Sequence, residues 1–122
     1  MTSDTYTFRF STVTVTIGAL NNAPIANNAT ISTSYNVQIA GTLSASDQEG
    51  SALTYSIVTN GAKGVARITD ATSGAFTYTP NASTTGTDSF TFKASDGQFD
   101  SNVATITVMV ENPKVYVSLV MR

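Results

Sequence analysis

The sequence has no cysteine, no histidine and no tryptophan among its 122 residues, and only 11% of them are charged. Without cysteine there is no disulfide and no thiolate metal site. Without histidine there is no Ser-His-Asp or Cys-His nucleophilic system and no imidazole-bound zinc. The lack of cysteine suits a protein passing through any redox compartment and suits a cytosolic one equally. Six basic residues scattered against eight acidic ones form no basic stripe, so nucleic acid is not expected as a partner. No apolar run approaches the roughly 20 residues of a membrane span, so no membrane insertion is expected. The opening MTSDTYTF has neither a basic nor an apolar signal region. An export signal, if one is used, lies outside this stretch or belongs to a route without an N-terminal one.

What the sequence does contain is β-forming: Thr, Ser, Val, Ala and Asn dominate, 41% of residues are apolar, and the apolar positions recur with a period of two. The organising stretch is residues 74–100. Phe76 and Tyr78 alternate in one run, Phe90 and Phe92 in the next, and PNASTTG at 80–86 separates them as a connection. The reading is that all four rings lie on one buried face of paired strands. Each ring removed from water contributes roughly 1.5–3 kcal/mol. Upstream, Tyr35, Val37 and Ile39 are in phase, Gly41–Ala45 reads as a strand, and Leu53, Tyr55 and Ile57 alternate before Asn60-Gly61, a strong hairpin signal. Val65–Thr69 returns, and Val103–Val110 closes the unit with Ile106, Val108 and Val110 in phase. About seven strands between turns spaced roughly 8–12 residues apart predict an all-β, immunoglobulin-like, two-layer antiparallel sandwich over residues 21–112. Leu43, Leu53, Tyr55, Ile57, Phe76, Tyr78, Phe90, Phe92, Ile106 and Val108 are the expected core.

The ends of the chain read differently. DTYTFRF at 4–10 matches DSFTFKA at 88–94, and TVTVTI at 12–17 matches TITVMV at 105–110. Residues 1–20 therefore read as the last two strands of a preceding repeat joined without their loop. The competing reading is that Thr- and Val-rich strands resemble one another by composition alone. GALNNAP at 18–24 is a linker, and residues 113–122 form a strand-like tail with Val115, Val117 and Leu119 on one face. An orphan apolar strand needs a cover, so segments 4–17 and 115–121 are candidates for pairing with each other or between chains.

The stretches NNAP, SASDQEGSALTYSI, GAFTYTP, GTDSFTFKASDG and ATITVMVEN, in that order, resemble one repeat of the bacterial cadherin-like or bacterial Ig-like tandem domains. The resemblance covers residues 21–112. It implies a non-catalytic spacer repeat of an extracellular or cell-surface adhesin-type protein, with neighbouring repeats of the same polypeptide as partners. Family members often carry Asp-x-Asp-Gly-Asp where this chain has Asp47-Gln48-Glu49-Gly50-Ser51, so one acidic position is lost.

For Asp47, Glu49 and Asp96 two readings stand. In one they converge on the linker at Asn21 and Asn22 as calcium ligands, because calcium takes six to eight oxygens from carboxylate- and carbonyl-rich loops. In the other Asp47 and Asp96 satisfy turn amides and Glu49 is solvated. The same pair Asp47/Glu49, with Asp96/Asp100, offers the only close carboxylates for acid–base work, and both pairs sit in polar turns with nothing to raise one pKa. Asp88, opening a strand after Gly86, is expected to tie down backbone N–H groups at that corner. Phe90 falls where immunoglobulin domains often place a corner tyrosine and lacks its hydroxyl. A carbohydrate- or protein-binding module is the alternative function. It predicts clustered exposed aromatics, for which Tyr35 and Tyr116 are the candidates.

Overall fold

The computed structural model describes residues 20–112. The expectations for segments 4–17 and 115–121, and the reading of 1–20 and 113–122 as remnant and tail, lie outside the described residues apart from Leu20. Among the described residues nine strands are formed: β1 (Ile25–Ala26), β2 (Ala29–Ser34), β3 (Ile39–Thr42), β4 (Ala45–Ser46), β5 (Thr54–Thr59), β6 (Gly64–Asp70), β7 (Ala75–Pro80), β8 (Gly86–Ser95) and β9 (Ala104–Glu111). One sheet has the order β2-β9-β8-β5 and the other β3-β7-β6, while β1 and β4 make a two-stranded ribbon. The two extra elements beyond the expected seven are this short ribbon. Pairing is antiparallel except between β2 and β9, which run parallel from Ala29↔Ile106 to Ser34↔Glu111.

Alternation decides the faces. In β8 the side chains of Asp88, Phe90, Phe92 and Ala94 turn inward, and in β9 those of Ala104, Ile106, Val108 and Val110 do so. Phe76 and Tyr78 of β7, Ala66 of β6 and Leu43 close the core from the other side. Eight of the ten expected core residues are buried. Leu53 and Ile57 are half-buried against the core, because β5 is the edge of its sheet.

The aromatic quartet is arranged otherwise than its spacing suggested. β7 and β8 do not pair; they belong to opposite sheets, and residues 81–85 carry the chain from one layer to the other. The rings meet across the interior, Phe76 edge-on to Phe90 at 5.4 Å and Tyr78 stacked on it at 6.2 Å. A period of two fixes which side of a strand is apolar and leaves open whether the partner lies beside it or opposite.

Asn60-Gly61 is likewise a crossover: β5 pairs with β8 and β6 with β7, so no hairpin forms there. The Asn60 side chain instead grips β6, its Oδ1 accepting from Ala66 N–H at 2.7 Å and its Nδ2 donating to Ala66 O at 3.0 Å. The Tyr35–Val37–Ile39 phase is broken by a turn with Asn36 at φ 64°, a left-handed conformation that Asn tolerates, and Val37 is 50% exposed. Tyr35 is half-buried against the core rather than displayed.

Asp88 joins the layers. It is 7% exposed, and its carboxylate accepts from Ala62 N–H and Lys63 N–H at 3.0 Å each and from Tyr78 Oη–H at 2.5 Å. The expected corner is therefore present, with a tyrosine from the facing sheet added. A side chain at Gly61 would collide with the Asp88 carboxylate and one at Gly64 with the Tyr78 hydroxyl, so the bare backbone at both positions lets the latch close. Burial opposes the charge on Asp88, yet hydrogen bonds from Tyr78 and from the N–H groups of Ser89, Lys63 and Ala62 outweigh it and hold the carboxyl below the usual carboxylate range. Burial, together with the bond and charge of Asp88, pushes the Tyr78 phenol up.

Two outcomes follow from this core. Phe90→Ala should lower the unfolding free energy by about 3–5 kcal/mol in urea denaturation. Asp88→Asn exchanges an acceptor oxygen for a donor and leaves a buried partner unmatched, at a cost of about 1–3 kcal/mol. Because the folded-state pKa of Asp88 lies below the unfolded value, its contribution is complete above about pH 4 and is lost as pH falls through the folded value. The melting-temperature gap between wild type and Asp88→Asn should therefore be constant from about pH 5 to 7 and narrow below pH 4.

Candidate functional site

The pole where residues 20–24 join the sandwich concentrates the polar chemistry. Two loops reach it, 47–53 between β4 and β5 and 96–103 between β8 and β9. Each is folded by its own aspartate. Asp47 Oδ2 accepts from the N–H groups of Glu49 and Ser51 at 3.0 and 2.9 Å, while Gly50 turns the chain at φ 76°. Asp96 Oδ1 accepts from Gln98 and Phe99 N–H at 2.8 and 2.7 Å. These two N–H groups, Phe99 first, with the Asn21 amide, keep the Asp96 carboxyl below its ordinary range against a smaller desolvation effect.

Consecutive linker residues then bridge the loops. Asn21 Nδ2 donates to Asp96 Oδ2 and to Gln98 Oε1, both at 3.0 Å. Asn22 N–H donates to Glu49 Oε1 at 3.0 Å, and its Nδ2 to Glu49 Oε2 at 2.7 Å and Gln48 Oε1 at 3.0 Å. A third asparagine fixes the ribbon: Asn102 Oδ1 accepts from Ala26 N–H at 2.9 Å and its Nδ2 donates to Ala26 O at 3.0 Å. The linker is thus tied to both loops by side chains that read in sequence as mere turn formers. The signal was present in the adjacent Asn21-Asn22, since amides offer donors to any carboxylate that the fold brings near.

Asp47, Glu49 and Asp96 lie at one pole, on the two loops that Asn21 and Asn22 bridge, as the linker-facing reading required. They do not assemble as a ligand set: among the described residues no group of three or more acidic side chains could hold a metal ion. Amide donors occupy the Glu49 oxygens and Asp96 Oδ2. Among the described residues, only Asp47 Oδ1 is buried without a hydrogen-bond partner. One such oxygen is far short of the six to eight that calcium requires, so these residues do not fit the ion and no calcium-dependent step is drawn. Glu49 is also not simply solvated, because both its oxygens accept from Asn22. The second carboxylate pair is separated in role: Asp100 forms an exposed ion pair with Lys93 at 2.8 Å. The exposed aromatic of the described region is Phe99, in the 96–103 loop, a residue the sequence pattern did not single out. Tyr116 lies outside the described residues.

No curated protein matched the sequence. Solved structures with a similar fold include a variant of the endo-fucoidan hydrolase MfFcnA4 of glycoside hydrolase family 107, at 24% identity over 79% of this chain and 14% of that one, TM-score 0.58. The endo-fucoidan hydrolase MfFcnA9 matches at 20% identity over 78% of this chain and 17% of that one, TM-score 0.59. Domains EC1-2 of human protocadherin-24 match at 24% identity over 75% of this chain and 44% of that one, TM-score 0.55. The chain therefore spans only a small part of the hydrolases and less than half of the protocadherin fragment, and the likeness is one of fold. The family model described as Bacterial Ig domain aligns with residues 21–109, from the bridging Asn21 to Met109 in the closing strand β9. With a two-layer sandwich observed over the same residues, the chain belongs to the bacterial Ig domain family.

Proposed function

We propose that this domain is a non-catalytic spacer repeat of a bacterial surface or secreted protein of the adhesin type, holding neighbouring units apart along one line. The supporting observation is the path of the chain. Asn21 and Asn22 are tied to loops at one pole, and β9 starts beside those loops at Ala104 and runs eight residues to Glu111. At about 3.3 Å per residue this carries the chain roughly 25 Å, to the opposite pole. A unit entered at one end and left at the other transmits length, and a linker tied to two loops transmits direction. The small share of the hydrolase chains that the domain matches fits a module set beside a catalytic unit as well as one within a repeat array.

The same topology suits a load. β2, reached from the linker through the short β1, pairs in parallel with β9 along six residue pairs. Tension applied at residues 20 and 112 shears that pair and loads its hydrogen bonds together. Because the chain lacks cysteine, single attachment points can be introduced at exposed positions that tolerate a side chain. Pulling through cysteines at positions 20 and 112 should require a higher unfolding force than pulling through 85 and 112. The latter pair sits at adjacent ends of β8 and β9, where Gly86↔Val110 would open one bond at a time. Equal forces in the two geometries would overturn the load-bearing reading.

The linker has its own test. Replacing both Asn21 and Asn22 by Ala removes the four side-chain hydrogen bonds, keeps only the backbone one from residue 22 to Glu49, and leaves the core untouched. Hydrogen exchange at residues 20–24 should accelerate at least tenfold while the amides of β8 and β9 keep their protection. Unchanged exchange at 20–24 would mean that the bridge does not stiffen the linker.

A further inference from the structure

The outer face of the β3-β7-β6 sheet has no part in the core or in the linker pole, and it carries a cleft. The space measures about 400 Å³, within the range of small-ligand sites. Its floor follows from the register: Arg67 pairs with Thr77 and Val65 with Thr79, so the four side chains form two adjacent rungs facing solvent. Gln38 closes one side by donating from Nε2 to Thr79 Oγ1 at 3.1 Å, and Asn81 and Pro80 close the end where β7 finishes.

Each polar group is left with capacity to spare. The Gln38–Thr79 bond leaves Gln38 Oε1 as an acceptor and the Thr79 hydroxyl hydrogen as a donor, side by side. Arg67 is exposed and makes no hydrogen bond or ion pair among the described residues, whereas Lys93 is taken by Asp100. The nearest acid along its strand, Asp70, has its carboxylate engaged by Thr72 through both N–H and hydroxyl. A planar guanidinium with five donors, standing beside hydroxyls and amides over a threonine floor, is a recognition set for an anion that also carries hydroxyl groups. No aromatic ring lines the cleft, so a neutral sugar has no stacking platform there, and charge must supply the grip. Val65, half of it exposed, offers apolar surface for the C–H face of a pyranose.

We propose that this cleft binds an acidic oligosaccharide, its sulfate or carboxylate group held in the fork of Arg67 and its hydroxyls by Thr77, Thr79 and Gln38. The proposal is independent of the spacer reading, since a repeat can hold its neighbours apart and still contact a glycan on its flank.

The test is a titration of the full chain, isotope-labelled for NMR, with a sulfated galactan tetrasaccharide, a tetragalacturonate, the neutral cellotetraose and sodium sulfate. The expected result is saturable shift changes at Val65, Arg67, Thr77, Thr79 and Asn81 with the sulfated or the uronic tetrasaccharide. Which of the two acts identifies the anionic group. Arg67→Ala should weaken that binding at least tenfold with an unchanged melting temperature. Arg67→Lys, which keeps the charge and loses the fork, should fall between. Absence of saturable shifts with either acidic saccharide would overturn the proposal and reduce Arg67 to a charge that blunts the β6 edge. Equal binding of cellotetraose, equal binding of sulfate alone, or full binding by Arg67→Ala would overturn it too.

Discussion

Tyr78 lays its ring on Phe90 of the opposite sheet and puts its hydroxyl on the carboxylate of Asp88, which in turn holds the N–H groups of Ala62 and Lys63. Two different forces thereby act on one residue. Ring burial draws the layers together without regard to direction, and the hydrogen bond to a desolvated charge accepts one alignment only. Everything else in the sandwich is consistent with that alignment: the glycines that admit it, the crossovers that carry β5 to β6 and β7 to β8 between layers, and the parallel closure of β2 on β9. A family position often occupied by a corner tyrosine holds Phe90 instead, and the hydroxyl that locks the layers comes from β7.

The polar pole works on the opposite principle. Apart from Asp47 Oδ1 and Ser101, its polar groups are half-buried or exposed, and each hydrogen bond they make contributes little singly. Their value lies in number and geometry, since two adjacent asparagines reach two loops whose contacted residues Glu49 and Asp96 lie 47 positions apart in sequence. Amide donors serve there where a cation would serve in a site with more carboxylates. The lost acid at Ser51 and the paired oxygens of Glu49 and Asp96 are two views of the same arrangement.

The division of faces matters for function. Among the described residues, the interior takes the rings of Tyr55, Phe76, Tyr78, Phe90 and Phe92, the entry pole uses acids and asparagines, and the outer face of the smaller sheet keeps Arg67 with threonines and a glutamine. Small β-branched polar residues are good strand formers on a solvated face, so the sheet tolerates a ligand surface at no cost to its fold. That economy leaves the outer face of the smaller sheet without a part in the core.

Much of this was legible without coordinates. Alternation named the inward residues of β7, β8 and β9, because the two-residue period is a property of the local backbone. Asp88 was recognisable from its place after Gly86, and the turn role of Asp47 and Asp96 from their neighbours. What the chain alone left open was partnership: whether the Phe76 and Phe90 strands pair or face each other, whether Asn60-Gly61 joins neighbours or layers, and which loops meet Asn21 and Asn22. Strand pairing and layer packing use the same alternating pattern, so periodicity cannot separate them. Only the closure of long-range contacts, Tyr78 on Asp88 and β2 on β9, selects one arrangement.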